Sequence, residues 1–163
     1  MRFIRHSILL ITLLLTSCGF HLRGMADMPP WLNDVAIIIQ NANRDLEPLL
    51  KEQLEAYHIR VCTNVAGAHY WLIIEQDIER QQITSVSSST TPRQYQLIYS
   101  VRYKLQRANG QEIMPPTKAI VTRQLTVNSN RILGSNDEEL ILKREMRRDA
   151  VIQILDRIGN QVR

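Results

Sequence analysis

Cys18 is the residue whose chemistry is easiest to name. It closes Leu15-Thr16-Ser17-Cys18, behind an apolar run from Ile8 to Leu15 that only Thr12 interrupts, and a basic head of Arg2, Arg5 and His6. The run is about eight residues, where roughly 20 are needed to span a bilayer, so it fits the middle of a secretory leader. Small residues at 16 and 17 suit a signal peptidase, and the four together form a bacterial lipobox. Residues 1–17 are therefore expected to be removed, and the Cys18 thiol to carry acyl chains. One chain holds a membrane only marginally, whereas several make a stable anchor. Gly19 follows, without the Asp that favours inner-membrane retention in bacterial lipoproteins, which points to the inner leaflet of the outer membrane.

Other groups invite chemistry less well. Glu75, Asp77 and Glu79 alternate along one segment and could be imagined as carboxylates for acid and base work. Acids at the wet end of a strand are more commonly a solvated face. His58 and Cys62 are too few for a metal, with no third or fourth ligand nearby, and His21 and His69 stand alone. The segment Thr84-Ser85-Val86-Ser87-Ser88-Ser89-Thr90-Thr91-Pro92 offers hydroxyls but no base at readable spacing. No catalytic residue, metal site or cofactor is expected. Cys62 is left without an intramolecular disulfide partner once Cys18 is acylated, and suits a small buried site. The net charge of +4, reduced to +2 without Arg2 and Arg5, is too diffuse for a nucleic-acid binder and leaves room for anionic lipid head groups.

The elements that must carry these residues follow from periodicity. Residues 18–34 form the lipidated start and an extended linker containing Pro29-Pro30, and residues 35–163 form one domain. Val35 to Ile39 reads as a buried strand. Residues 43–57 read as a helix, with Asn43 or Asp45 as cap and Leu46, Leu49, Leu50, Leu54 and Tyr57 as its apolar stripe. Ile59 to Cys62 is a short strand, so strand, helix and strand make one right-handed crossover.

A longer strand covers residues 69–83. Simple alternation puts Trp71, Ile73, Glu75, Asp77 and Glu79 on one face and Leu72, Ile74, Gln76, Ile78 and Arg80 on the other. Residues 84–92 read as a mobile loop. Tyr95, Leu97, Tyr99, Val101, Tyr103 and Leu105 then line one face of the clearest strand. Asn109-Gly110 suits a type I′ hairpin turn into a partner strand over 118–127. Ser135 and Glu138 fit a capping box for a helix over 136–158, whose apolar face is Leu140, Met146, Ala150, Val151, Ile154 and Ile158. Lys143 and Arg147 interrupt that face, either snorkelling or meeting an acidic partner. With helices covering one side of the sheet, the other would show Arg102, Lys104, Lys118, Thr122, Gln124 and Thr126.

Three short stretches together resemble the LptE family of lipopolysaccharide-assembly lipoproteins: Cys18-Gly19-Phe20-His21-Leu22-Arg23, then Tyr95-Gln96-Leu97, then Arg144-Glu145-Met146 with Asp149-Ala150. The resemblance implies an α+β fold with two helices packed on one face of a four-stranded mixed β-sheet. It implies a 1:1 plug inside the outer-membrane β-barrel LptD, assistance to that barrel's assembly, and lipopolysaccharide as the bound cargo. Family members use basic residues in the loop before the Tyr-Gln-Leu strand and near the late helix. Here Arg93 and Arg131 stand nearest those places and become the expected lipopolysaccharide contacts. Two other readings remain: an auxiliary lipoprotein of another envelope lipid-transport system, and a lipid-anchored hydrolase.

Overall fold

The computed structural model describes residues 28–86, 92–126 and 132–161; the leader, Cys18 and Arg131 fall outside them. The chain runs β1 (Asp34–Asn41), α1 (Leu46–Ala56), β2 (Arg60–Val61), a single 3-10 turn (Val65–Gly67), β3 (Tyr70–Val86), β4 (Pro92–Arg107), β5 (Glu112–Thr126) and α2 (Ile132–Gln161). The strands form one sheet in the order β2-β1-β3-β4-β5. β1 pairs parallel with β2 and β3, whereas β3, β4 and β5 pair antiparallel. The sheet is thus mixed but five-stranded, not four-stranded. The extra strand is the two-residue β2, joined to β1 through Asp34↔Arg60 and Val35↔Val61. Residue patterning had pointed to it where the family resemblance had not.

Both helices pack on one face. Leu46, Leu50 and Leu54 of α1 meet Met146, Ala150, Val151, Ile154, Leu155 and Ile158 of α2 over the inward side chains of β3, β4 and β5. An 11-residue helix is marginal alone in water. Each buried leucine contributes about 2 kcal/mol, so this stripe keeps α1 formed. Pro48 sits in the first turn, where its missing N–H costs nothing. Asp45 is the N-cap but makes no side-chain cap bond; Asn43 Oδ1 instead accepts from Asp45 N at 2.9 Å. The helix ends in a Schellman motif, with Ile59 N–H on Leu54 O at 3.0 Å and His58 N–H on Glu55 O at 2.9 Å. His58 takes the left-handed position at φ 61°, where glycine is usual.

Several expectations need correction. α2 begins at Ile132, so Ser135 lies inside it and does not cap it. An N-cap requires non-helical backbone, and helix propagation overrides the local capping signal. Leu140 is 59% exposed, and Leu142 packs on the core in its place. The hydroxyl-rich segment is not all loop: β3 continues through Val86 and β4 starts at Pro92, leaving 87–91 outside the described residues. The hairpin turn is not type I′. Gly110 alone has positive φ, at 87°, and its N–H reaches Arg107 O at 2.9 Å, a one-glycine turn. The linker is not extended at its end, because Leu32 N–H closes a turn on Pro29 O at 2.9 Å and Leu32 is buried. Cys62 is a free cysteine of intermediate burial, less enclosed than expected.

The largest correction concerns β3. Its register against β4 slips between Ile74 and Gln76, a β-bulge centred on Glu75. A bulge inserts one residue and exchanges the faces beyond it. Leu72 and Ile74 face the helices before it, paired with Leu105 and Tyr103. After it, Asp77, Glu79 and Gln81 face the helices, paired with Val101, Tyr99 and Leu97. Gln76, Ile78 and Arg80 pass to the open face. The three carboxylates therefore do not share one solvated face.

Candidate functional site

The strand ends define two ends of the molecule. Met28 and the start of β1 lie at one, beside Arg60, Tyr70 and Arg107 by pairing. Val86, Pro92 and Thr126 lie at the other. β3 has 17 residues and is about 55 Å long, so the ends are well separated. Arg93 is the second residue of β4 and belongs to the far end by its backbone; its side chain, like Arg131 and Cys18 entirely, lies outside the described parts.

Beneath this far half of the sheet, the bulge has assembled charges. Arg147 of α2 reaches Glu79 at 3.2 Å and Asp45 at 3.9 Å, with only 16% of its side chain exposed. Lys143 reaches Glu139 at 2.9 Å and Glu79 at 3.5 Å. Those carboxylates raise the Lys143 ammonium above its ordinary value, the Glu139 hydrogen bond contributing most. Tyr99 O–H donates to Asp77 Oδ2 at 2.9 Å, and Asn43 N–H donates to Asp77 Oδ1 at 3.1 Å. Burial first, and the hydrogen bond to Asp77 second, push the Tyr99 phenol above its ordinary range. It stays a neutral donor at any physiological pH. Arg147 Nε is buried without a partner. Glu79, Gln81, Leu97, Tyr99, Lys143 and Met146 are among the residues lining a pocket of about 210 Å³ beside this network. Lys143 and Arg147 thus have acidic partners within the chain itself.

At the near end, Asp34 is 3% exposed. It accepts from Arg60 Nη2 at 3.1 Å and from His69 N–H at 3.0 Å, and lies 2.7 Å from His69 Nδ1. Burial alone would raise its carboxyl, but the His69 and Arg60 contacts outweigh it and hold the group below the usual value. This cluster ties the starts of β1, β2 and β3 together. Neither it nor the Asp77–Tyr99 pair was found from sequence. Both depend on register, and only Lys143 and Arg147 on an apolar helix face gave a hint.

The opposite face of the sheet has the expected composition. The pairs Gln94↔Thr126, Gln96↔Gln124 and Arg102↔Lys118 put polar residues side by side, while Ile98↔Thr122 and Ser100↔Ile120 each set an isoleucine beside a hydroxyl. Arg102 Nε meets Glu75 Oε2 of the bulge at 2.8 Å. Among the described residues there is no group of three His, Cys, Asp or Glu that could hold a metal, and no helix long and apolar enough to cross a membrane.

This frame matches known proteins. The chain is 26% identical to the LPS-assembly lipoprotein LptE of Photorhabdus laumondii over 161 residues, covering 93% of this chain and 85% of that protein. A solution structure of lipoprotein B from Nitrosomonas europaea superposes with a TM-score of 0.70 at 26% identity, over 86% of this chain and 90% of the other. A minor lipoprotein from Acinetobacter baumannii shares the fold at a TM-score of 0.65 and 20% identity, over 80% and 92% of the two chains. The family model for LptE, described as lipopolysaccharide-assembly, matches residues 32–158. That match spans every strand of the sheet, α1 and nearly all of α2, and the chain belongs to the LptE family of lipopolysaccharide-assembly lipoproteins.

Proposed function

We propose that this lipoprotein plugs, and helps to assemble, an LptD-type outer-membrane β-barrel, binds lipopolysaccharide and assists its passage to the outer leaflet. The family match over residues 32–158 carries the reading. In it, acyl chains on Cys18 hold the chain at the inner leaflet, on the periplasmic side of the outer membrane. Met28 stands ten positions beyond Cys18, a reach of about 34 Å, enough for the domain to enter a barrel from below. Barrels of this class have polar interiors that can hold a plug. The domain enters with its tethered end nearest the membrane, so the far end, where β4 begins beside Arg93, points along the lumen. The guanidiniums of Arg93 and Arg131 meet lipid A phosphates through bidentate, charge-assisted bonds.

Two experiments test this. A C-terminally tagged chain extracted in mild detergent is expected to bring down one large β-barrel protein in a 1:1 ratio. Recovery alone, or with an inner-membrane transporter, would favour an auxiliary role in another lipid-transport system. The Arg93→Ala plus Arg131→Ala double variant is expected to weaken lipopolysaccharide binding while keeping the barrel. Unchanged binding would remove these residues from the site.

A further inference from the structure

The open face of the sheet carries cations that the chain does not neutralise. Arg102 of β4 lies directly opposite Lys118 of β5. Side chains so paired stand about 5 Å apart at Cβ, where like charges destabilise a sheet. Lys104 lies two residues along β4 on the same face. Glu75 answers Arg102 alone, at 2.8 Å. Among the described residues, neither Lys104 nor Lys118 makes an ion pair, and Glu75 is the one carboxylate paired with any of the three. On the helix side, by contrast, Lys143, Arg147 and Arg123 each have a carboxylate.

We infer that Lys104, Arg102 and Lys118 form a second anion site, which takes the phosphates of the glycolipid as it moves along the open sheet face. The inference rests on the lipopolysaccharide-binding reading above and adds a site far from Arg93. The three cations less Glu75 leave two positive charges, the complement of a phosphate monoester dianion. Ser100, Thr122 and Gln124 continue the same face with hydroxyl and amide groups, which match sugar hydroxyls. A permanent protein wall is the poorer fit. Protein interfaces are enriched in aromatic residues, Met and Arg and depleted in Lys, whereas two of these three cations are lysines. Flexible ammonium groups that are not locked in ion pairs suit a ligand that must arrive and leave.

The full chain, extracted in mild detergent, is titrated with purified lipopolysaccharide and with the same glycolipid stripped of phosphate. The Lys104→Gln plus Lys118→Gln variant is expected to bind the phosphorylated form about tenfold more weakly, equivalent to roughly 1.4 kcal/mol. Its affinity for the stripped form should equal that of the parent, and Lys104→Arg plus Lys118→Arg should restore tight binding. Unchanged affinity for the phosphorylated form, while the parent binds it, overturns the second site and leaves the lipopolysaccharide reading intact. A parent chain that binds neither glycolipid sinks both. A variant that binds glycolipid normally but loses the co-purifying barrel assigns this face to the protein partner and overturns the inference.

Discussion

The two faces of the sheet handle charge in opposite ways. Under the helices, Glu79 is shared by Lys143 and Arg147, Asp77 is held by Tyr99 and Asn43, and Arg123 meets Asp149. On the open face, Arg102 and Lys118 stand opposite one another, and among the described residues only Arg102 of the three cations has an ion pair, with Glu75. Pairing on the helix side follows from partial burial, since a charge removed from water needs a partner. The open face remains in water, so its lysines carry no such requirement. Internal pairs fix the packing of α2 on the sheet, whereas unpaired surface cations remain available to a ligand. A cationic side chain therefore has to be assigned to one face or the other before it can be given a role.

Breaking the helix-side network should produce the largest effect. Arg147→Met leaves Asp45 without its cation and Glu79 with Lys143 alone, and should cost about 1.5 kcal/mol, moderated because both carboxylates are partly solvated. Urea denaturation would show this as a lower midpoint at constant slope. Tyr99→Phe removes one donor from Asp77 and should cost about 1 kcal/mol by the same measurement.

The near-end cluster can be separated by pH. The folded-state value of Asp34 lies below its ordinary 3.8. Its stabilising contribution is therefore complete above that ordinary value and is lost as pH falls through the lower folded value. Thermal melts of Asp34→Asn across pH 2 to 6 should show a shallower acid loss than the parent. An identical acid limb in the two proteins would show that the cluster does not contribute as described.

Two small effects should have the opposite sign. His58→Gly relieves a left-handed residue at the end of α1 and should stabilise by about 0.5 kcal/mol, visible as a raised melting temperature. Lys118→Gln removes a like charge from the open face and should stabilise by about 0.3 kcal/mol at low salt, the gain shrinking as salt rises. A destabilising result would mean that Lys118 has a structural partner and would narrow the contrast between the faces.

Much of the frame was legible in the residues themselves. The alternation of Tyr95, Leu97, Tyr99, Val101, Tyr103 and Leu105 is simple periodicity, and all of them but the half-buried Tyr95 are buried. The helical spacing of Leu46, Leu50 and Leu54 placed α1 equally well. The charged network was not legible because it depends on one extra residue. Alternation across residues 71–79 assumes an unbroken register, and the bulge at Glu75 breaks it. No residue type announces a bulge there, since Glu75 is an ordinary strand-exterior residue until Arg102 is known to lie opposite. The Asp34 cluster was hidden for a related reason: it joins residues 34, 60 and 69 only once β1, β2 and β3 are parallel. Cys18 and Arg131 rest on sequence alone, as does the side chain of Arg93.

The most direct measurement places a photoreactive amino acid at Ser100, between Ile98 and Arg102 on the open face, and irradiates living cells. The expected product is an adduct that carries lipopolysaccharide and disappears in the Lys104→Gln plus Lys118→Gln background. An adduct formed only with a protein of barrel size would contradict the account, and would make this face part of the plug's seat instead of a path for its cargo.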